Sequence, residues 1–179
     1  MLTFLIGGAR SGKSALALQL ASAGAVPVTF IATAQAQDAE MEARIAAHRS
    51  ERPGSWSTVE APLHLGQALR GVPDGDTVVI DCLTLWVANL LEAGYGDEAV
   101  ARDAEHLAPL ASGRPGVVVV VSNEVGSGIV PMEALSRRYR DLLGRVNATF
   151  CHHADQAFLV MAGRAVPLLP APVLPAPSR

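Results

Sequence analysis

The chain has 179 residues, enough for one domain with a substantial core rather than two. Half of them are apolar but only 4% are aromatic, so the core must come mainly from Ala, Val and Leu. A net charge of −3 excludes nucleic-acid binding by overall basicity, and no stretch reaches the roughly 20 apolar residues that span a bilayer.

In chain order, LTFLI (2–6) reads as a strand and is followed by a helical pattern over 13–24. VTFIA (28–32) is the next strand. A helix over 38–51 follows, with Asp38 as its cap and Met41 and Ile45 as its buried edge. Helical patterns at 62–70, 83–94, 97–112 and 132–153 alternate with the strands TVVIDC (77–82), GVVVVVS (116–122) and QAFLVMA (156–162). AVPLL (165–169) lies so close behind the last of these that it reads as the return arm of an antiparallel hairpin. Several strand runs are continuous rather than alternating, as expected when helices cover both faces. The pattern predicts an α/β fold, a mainly parallel sheet flanked by helices with an antiparallel edge hairpin.

The domain is expected to span 1–169, and the Pro/Ala-rich tail 170–179 is expected to stay extended or disordered. Cys82 and Cys151 form no CxxC pair and read as free thiols. Together with an N-terminus lacking a signal-peptide pattern, they suggest a soluble, cytoplasmic protein.

The stretch GGARSGKS (7–14) has the spacing G-x-x-x-x-G-K-S, and it follows a strand and opens a helix. Gly7, Gly8 and Gly12 let the backbone turn, so that N–H groups through Ala9, Arg10 and Ser11 can face one phosphate. The helix dipole favours the same anion. Lys13 can reach the β- and γ-phosphates, and the Ser14 hydroxyl can ligate Mg²⁺. This context predicts a single P-loop NTPase (RecA-like) domain. Asp81 ends TVVID, where a carboxylate at the tip of an adjacent parallel strand makes a second, often water-mediated, Mg²⁺ contact; it could equally cap the following helix.

A GTPase switch is not expected, because the guanine-reading N-K-x-D and the strand-end D-x-x-G are both missing. Size and fold favour a small-molecule kinase. The segment 38–56 adds Arg44, His48 and Arg52 at i, i+4 and i+8, one face of a helix that persists that far, with Arg49 beside them. An imidazole among guanidiniums suits a nucleophile beside a phosphate, and the cations would stabilise charge on the phosphoryl oxygens. An ordinary surface helix with Arg44 paired to Glu40 fits the pattern equally well.

Taken together, GGARSGKS, IATAQ, D-x-EM-x-x-RI-x-x-H, RP-x-x-W-x-T-x-E, DCLTLW-x-x-N, SNEVGSGIVP and RRYRDLLGRVN occur in this order. From residue 2 to 169 the chain resembles the bifunctional adenosylcobinamide kinases / adenosylcobinamide-phosphate guanylyltransferases of cobalamin biosynthesis. The resemblance implies two reactions. One passes a γ-phosphoryl group from ATP or GTP to a hydroxyl of adenosylcobinamide. The other passes GMP from GTP through a guanylyl-histidine to adenosylcobinamide phosphate.

The family's nucleophilic histidine falls on His48. Its nucleotide-contacting segments fall on Ala32, Thr33 and Ala34 and on Arg49, Ser50, Glu51 and Arg52. Glu60 matches a position near the guanine, where a carboxylate can accept from N1–H and N2–H₂; an exposed strand-end acid is the other reading. The resemblance also implies a homotrimer. NEVGSGIVP should form a shaped loop, in which Glu124 is a candidate for orienting the accepting hydroxyl or a metal water. Arg137, Arg138 and Arg140 are candidates for substrate phosphate, a subunit neighbour or a solvated helix face. Two other classes remain open: a kinase without nucleotidyl transfer, and a non-catalytic GTP-sensing module.

Overall fold

A computed structural model describes residues 1–36 and 38–171, with the side chain of Arg44 left out. Seven strands and six helices follow one another as β1 (Leu2–Gly7), α1 (Lys13–Ser22), β2 (Val28–Ala32), α2 (Ala39–Ser50), β3 (Ser57–Glu60), α3 (Leu65–Arg70), β4 (Thr77–Asp81), α4 (Leu83–Glu92), α5 (Asp97–Gly113), β5 (Val118–Asn123), α6 (Ala134–His153), β6 (Gln156–Met161) and β7 (Arg164–Pro167). They form one sheet of order β3-β2-β4-β5-β1-β6-β7, parallel throughout except for the β6–β7 hairpin. Two expectations change here. β3 is an additional strand at the far edge, and the 62–70 helix begins only at Leu65. The expected Pro/Ala tail lies, from 172 onward, outside the described residues.

The continuous valine run of β5 divides its side chains between two cores. Val118 and Val120 pack with Leu2, Phe4, Leu83, Leu143 and Phe150 beneath the face covered by α3 to α6. Val119 and Val121 pack with Leu5, Ala17, Ala21 and Phe30 beneath α1. Alternate residues of a strand face opposite sides, so a strand covered on both sides needs apolar residues throughout. Phe4 and Phe150 stack with centroids 6.2 Å apart, tying β1 to α6. On the other face the buried apolar positions of α1 are Ala17 and Ala21, which lets the helix that follows the phosphate loop lie close against the strands.

The sheet order corrects one expectation. Asp81 does not lie on the strand next to β1, because β5 is inserted between β1 and β4. The residue level with Gly7 on the true neighbour is Asn123.

Candidate active site

The C-terminal ends of β2, β4 and β5 open into one cleft of about 500 Å³ at that edge of the sheet. Its floor is the loop from Ala9 to Ser14. Two residues there hold left-handed backbone, Gly12 at φ 100° and Arg10 at φ 54°. Gly12 also abuts the β6–β7 turn, since a Cβ on it would lie 3.3 Å from the Gly163 Cα. The Gly163 N–H donates to the Ser11 carbonyl at 2.9 Å, so the hairpin supports the loop from below.

Gly7 is needed where β1 packs closely against β6. A Cβ there would come within 2.1 Å of the Val160 carbonyl oxygen on β6. Lys13 is buried and its ammonium donates to the carbonyls of Gly7 (2.9 Å) and Gly8 (2.7 Å). Burial lowers its pKa, against the opposing influence of Cys82 and Asp81. Ser14 lines the cleft in the first turn of α1.

Asp81 shares the cleft with Lys13, Arg52 and His48. Burial raises its pKa, while His48, Lys13 and Arg52 each pull it back. Its carboxylate accepts no hydrogen bond from a described residue. It does not cap α4, whose N-cap position is Cys82 with no side-chain cap. A cis peptide joins Asp81 to Cys82. The Thr33 hydroxyl clasps Cys82, accepting from its N–H and donating to its carbonyl, both at 2.8 Å. Thr33 is therefore fully buried and does not reach the cleft; its neighbours Ala32 and Ala34 do. Asn89 completes this corner by donating to the carbonyls of Thr33 (2.8 Å) and Pro62 (3.1 Å). The Cys82 thiol also lines the cleft, but burial and Asp81 push its pKa up to about 11, so it stays protonated and weakly nucleophilic.

The α2 helix supplies the cleft's outer wall. Asp38 caps it as expected, accepting from the Met41 N–H at 2.7 Å. Met41 and Ile45 are half-buried and face the cleft rather than the core. His48 lines the cleft with its side chain 46% exposed, and its Nδ1 lies 3.6 Å from Glu51 Oε2. Arg52 follows the helix instead of continuing it, yet returns to the same wall. Its guanidinium sits 4.0 Å over the Phe30 ring, its Nε donates to the His48 carbonyl (3.1 Å) and its Nη1 to the Thr58 hydroxyl (3.2 Å).

The rest of the expected segment is not brought into the cleft. Arg49 pairs with Glu60 at 3.2 Å, and both are exposed. Glu60, on the edge strand, thus has a protein partner on α2. The Ser50 hydroxyl donates to the Ala47 carbonyl at 2.7 Å, and Glu51 is the helix C-cap. The Arg44 side chain, and with it the pairing to Glu40, lies outside the described residues.

Beyond β5 the chain forms a shaped loop, as its glycines predict. Glu124 is absorbed by that loop, its Oε1 accepting from Gly126 N–H (2.7 Å) and Ser127 N–H (3.0 Å). It is not the residue that faces the cleft; Asn123 is. The three arginines are also committed. Arg137 donates to the carbonyls of Pro131 and Met132, Arg138 pairs with Asp97 at 2.6 Å, and Arg140 pairs with Asp141 at 3.0 Å. Asn123, Phe30, Thr84 and Leu85 were absent from the expected site. Apolar lining and an amide beside an acid carry no motif of their own.

No group of three or more His, Cys, Asp or Glu that could hold a metal occurs among the described residues. A phosphate loop, one half-buried carboxylate and a half-exposed histidine in one cleft define a P-loop enzyme that transfers groups from a nucleotide. The fold agrees. An ATPase from the type III secretion system of pathogenic bacteria superposes with a TM-score of 0.53 at 11% identity, covering 88% of this chain and 50% of the ATPase chain.

The chain belongs to the cobinamide kinase / cobinamide phosphate guanyltransferase family, whose pattern matches residues 3–168. It is 43% identical over 171 residues to the bifunctional adenosylcobalamin biosynthesis protein CobP of Pseudomonas aeruginosa, covering 94% of this chain and 97% of that one. To the protein CobU of Escherichia coli it is 38% identical over 179 residues, covering 93% and 98%.

Proposed function

We propose that this enzyme phosphorylates adenosylcobinamide with ATP or GTP and then transfers GMP from GTP to the phosphorylated product through a covalent guanylyl group on His48. The observation that carries this reading is the meeting of His48, Lys13 and Arg52 around Asp81 in one cleft.

In the guanylyl half-reaction an imidazole nitrogen of His48 attacks the α-phosphorus of GTP. The P–N bond forms, the α–β phosphoanhydride bond breaks and pyrophosphate leaves. A proton on Nδ1 would face Glu51, which leaves Nε2 as the attacking atom. A phosphate oxygen of the acceptor then attacks the same phosphorus, the P–N bond breaks and the imidazole is restored. Lys13 exchanges its two backbone carbonyls for phosphate oxygens when the nucleotide enters. Arg52, already fixed over Phe30 and beside His48, offers its guanidinium to the charge that builds on the α-phosphoryl oxygens.

The cleft also suits Mg²⁺. Ser14 and Asp81 would hold it, Asp81 through water. A half-buried carboxylate in the cleft with no hydrogen-bond donor among the described residues and a pKa raised by desolvation would be stabilised by a hard cation there. The ion supplies neutralisation of phosphate charge there. Glu60, engaged with Arg49, would reach guanine only by leaving that pair. The homotrimer belongs to the same reading, and light scattering checks it.

The deciding experiment incubates the protein with Mg²⁺ and GTP labelled at the α-phosphate, beside His48→Ala. An acid-labile, alkali-stable GMP adduct is expected on the first and not on the second. A folded, GTP-binding wild type that stays unlabelled would leave a kinase without nucleotidyl transfer.

A further inference from the structure

We propose that Asn123 positions the acceptor hydroxyl against the γ-phosphate in the phosphoryl-transfer reaction, and that it takes no part in guanylyl transfer at His48. The inference rests on the two-reaction reading above.

Its place in the sheet is the first argument. β5 lies between the strand that carries the phosphate loop and the strand that carries Asp81. Asn123 is level with Gly7 on one side. On the other side Asp81 is level with Val121, so Asn123 reaches two residues further along the cleft than the acid. The side of the cleft nearest the loop's lysine is therefore lined by Asn123. His48 enters from the opposite side, on the helix that follows β2, with β4 intervening in the sheet.

The bonding is the second argument. The Asn123 N–H donates to the Thr84 hydroxyl at 2.8 Å, and its carbonyl accepts from the Asn147 amide at 3.0 Å. Asn147 is itself fixed by the Ser122 hydroxyl at 2.6 Å. The main chain is thus fastened from α4 and from α6, while the side-chain amide makes no hydrogen bond to any described residue. A half-buried amide with a rigid base and no structural bond of its own is available to a ligand. The neighbouring acid is unavailable, because Glu124 is spent on its own loop.

The chemistry favours a neutral group at this point. A carboxylate beside the γ-phosphate would repel it. An amide can donate N–H to a γ-phosphoryl oxygen while its carbonyl accepts from the attacking hydroxyl. In that step the hydroxyl oxygen bonds to the γ-phosphorus, the bond to the β–γ bridging oxygen breaks, the nucleoside diphosphate leaves and the hydroxyl proton passes to water. Asn123 orients and takes no proton.

The test uses Asn123→Ala, Asn123→Asp and Asn123→Ser in the full chain, with Mg²⁺, ATP and adenosylcobinamide for one reaction and α-labelled GTP for the other. For Asn123→Ala the kinase kcat is expected to fall about 100-fold or more, with KM for ATP changed less than about threefold. Asn123→Asp should be at least as impaired, and Asn123→Ser, which keeps a hydrogen-bonding group, should recover part of the rate. Labelling of His48 should slow at least about tenfold less than the kinase reaction, and the melting temperature should hold, because the side chain has no bond to lose. Equal loss of both reactions, an undiminished kinase rate, or a clear drop in melting temperature would overturn the assignment. A folded wild type that does not phosphorylate adenosylcobinamide would refute the two-reaction reading itself, and this inference with it.

Discussion

The two glycines that open the phosphate loop do different things, and alanine at each should separate them. A Cβ on Gly7 would sit 2.1 Å from the Val160 carbonyl oxygen, against an ordinary carbon–oxygen contact of about 3.3 Å. That oxygen belongs to a paired strand and cannot rotate away, so β1 and β6 must part by over an ångström at this end, where Ile6 is level with Leu159. Overpacking of this kind costs roughly 1–3 kcal/mol, and weakening two ladder hydrogen bonds adds about 2 kcal/mol. Gly7→Ala should therefore lose about 3–5 kcal/mol. At about 2–4 °C per kcal/mol for a chain of this size, the melting temperature falls by roughly 6–20 °C. Gly8 has open space where its Cβ would go, so Gly8→Ala should unfold within about 1 kcal/mol of wild type. Urea unfolding followed by the fluorescence of Trp86, which is 2% exposed, reads both. A Gly7→Ala protein as stable as wild type would refute the argument and return Gly7 to phosphate binding alone.

Asp81 gives a prediction with a pH sign. Its folded-state pKa lies above the unfolded value near 3.8, chiefly through burial, so the native state binds the proton more tightly. Stability is then lost as pH rises from that value through the folded one, and stays lost above it. Asp81→Asn should melt higher than wild type at pH 7 without nucleotide, an advantage that vanishes below about pH 4, and should lose transfer activity with Mg²⁺. A wild type more stable than Asp81→Asn at pH 7 would contradict this. Arg114, far from the cleft, donates from a buried guanidinium to the carbonyls of Leu69, Val72 and Pro73. Arg114→Met should leave them unpaired, costing about 2–4 kcal/mol in denaturant unfolding while kcat is retained. A proportional loss of kcat in the folded variant would argue against a purely structural arginine.

The strands of the central sheet were legible because burial on both faces writes them as unbroken apolar runs. β3 was not, since all four of its residues are exposed and Ser57–Glu60 alternates like any loop. The phosphate loop and Asp81 were legible as residues, but their spatial relation was not. Strand order is set by long-range pairing, and no local pattern announces that β5 enters between them. Thr33 illustrates a second limit. Its motif neighbours face the cleft, but the turn after β2 aims its hydroxyl at Cys82 instead. Glu124 illustrates a third: an acid beside two glycines looks like chemistry, whereas the loop needed it to satisfy its own N–H groups.

The hairpin beneath the phosphate loop ties the history of the chain to its site. The loop is made well before Val160 and Gly163, which brace it. During synthesis the motif therefore emerges long before it has a floor, and nucleotide cannot reward its early ordering. A chain halted before the hairpin would carry every residue of GGARSGKS and still lack a finished binding site. Closure between such distant segments is slow, so assembly of the site should coincide with completion of the whole sheet.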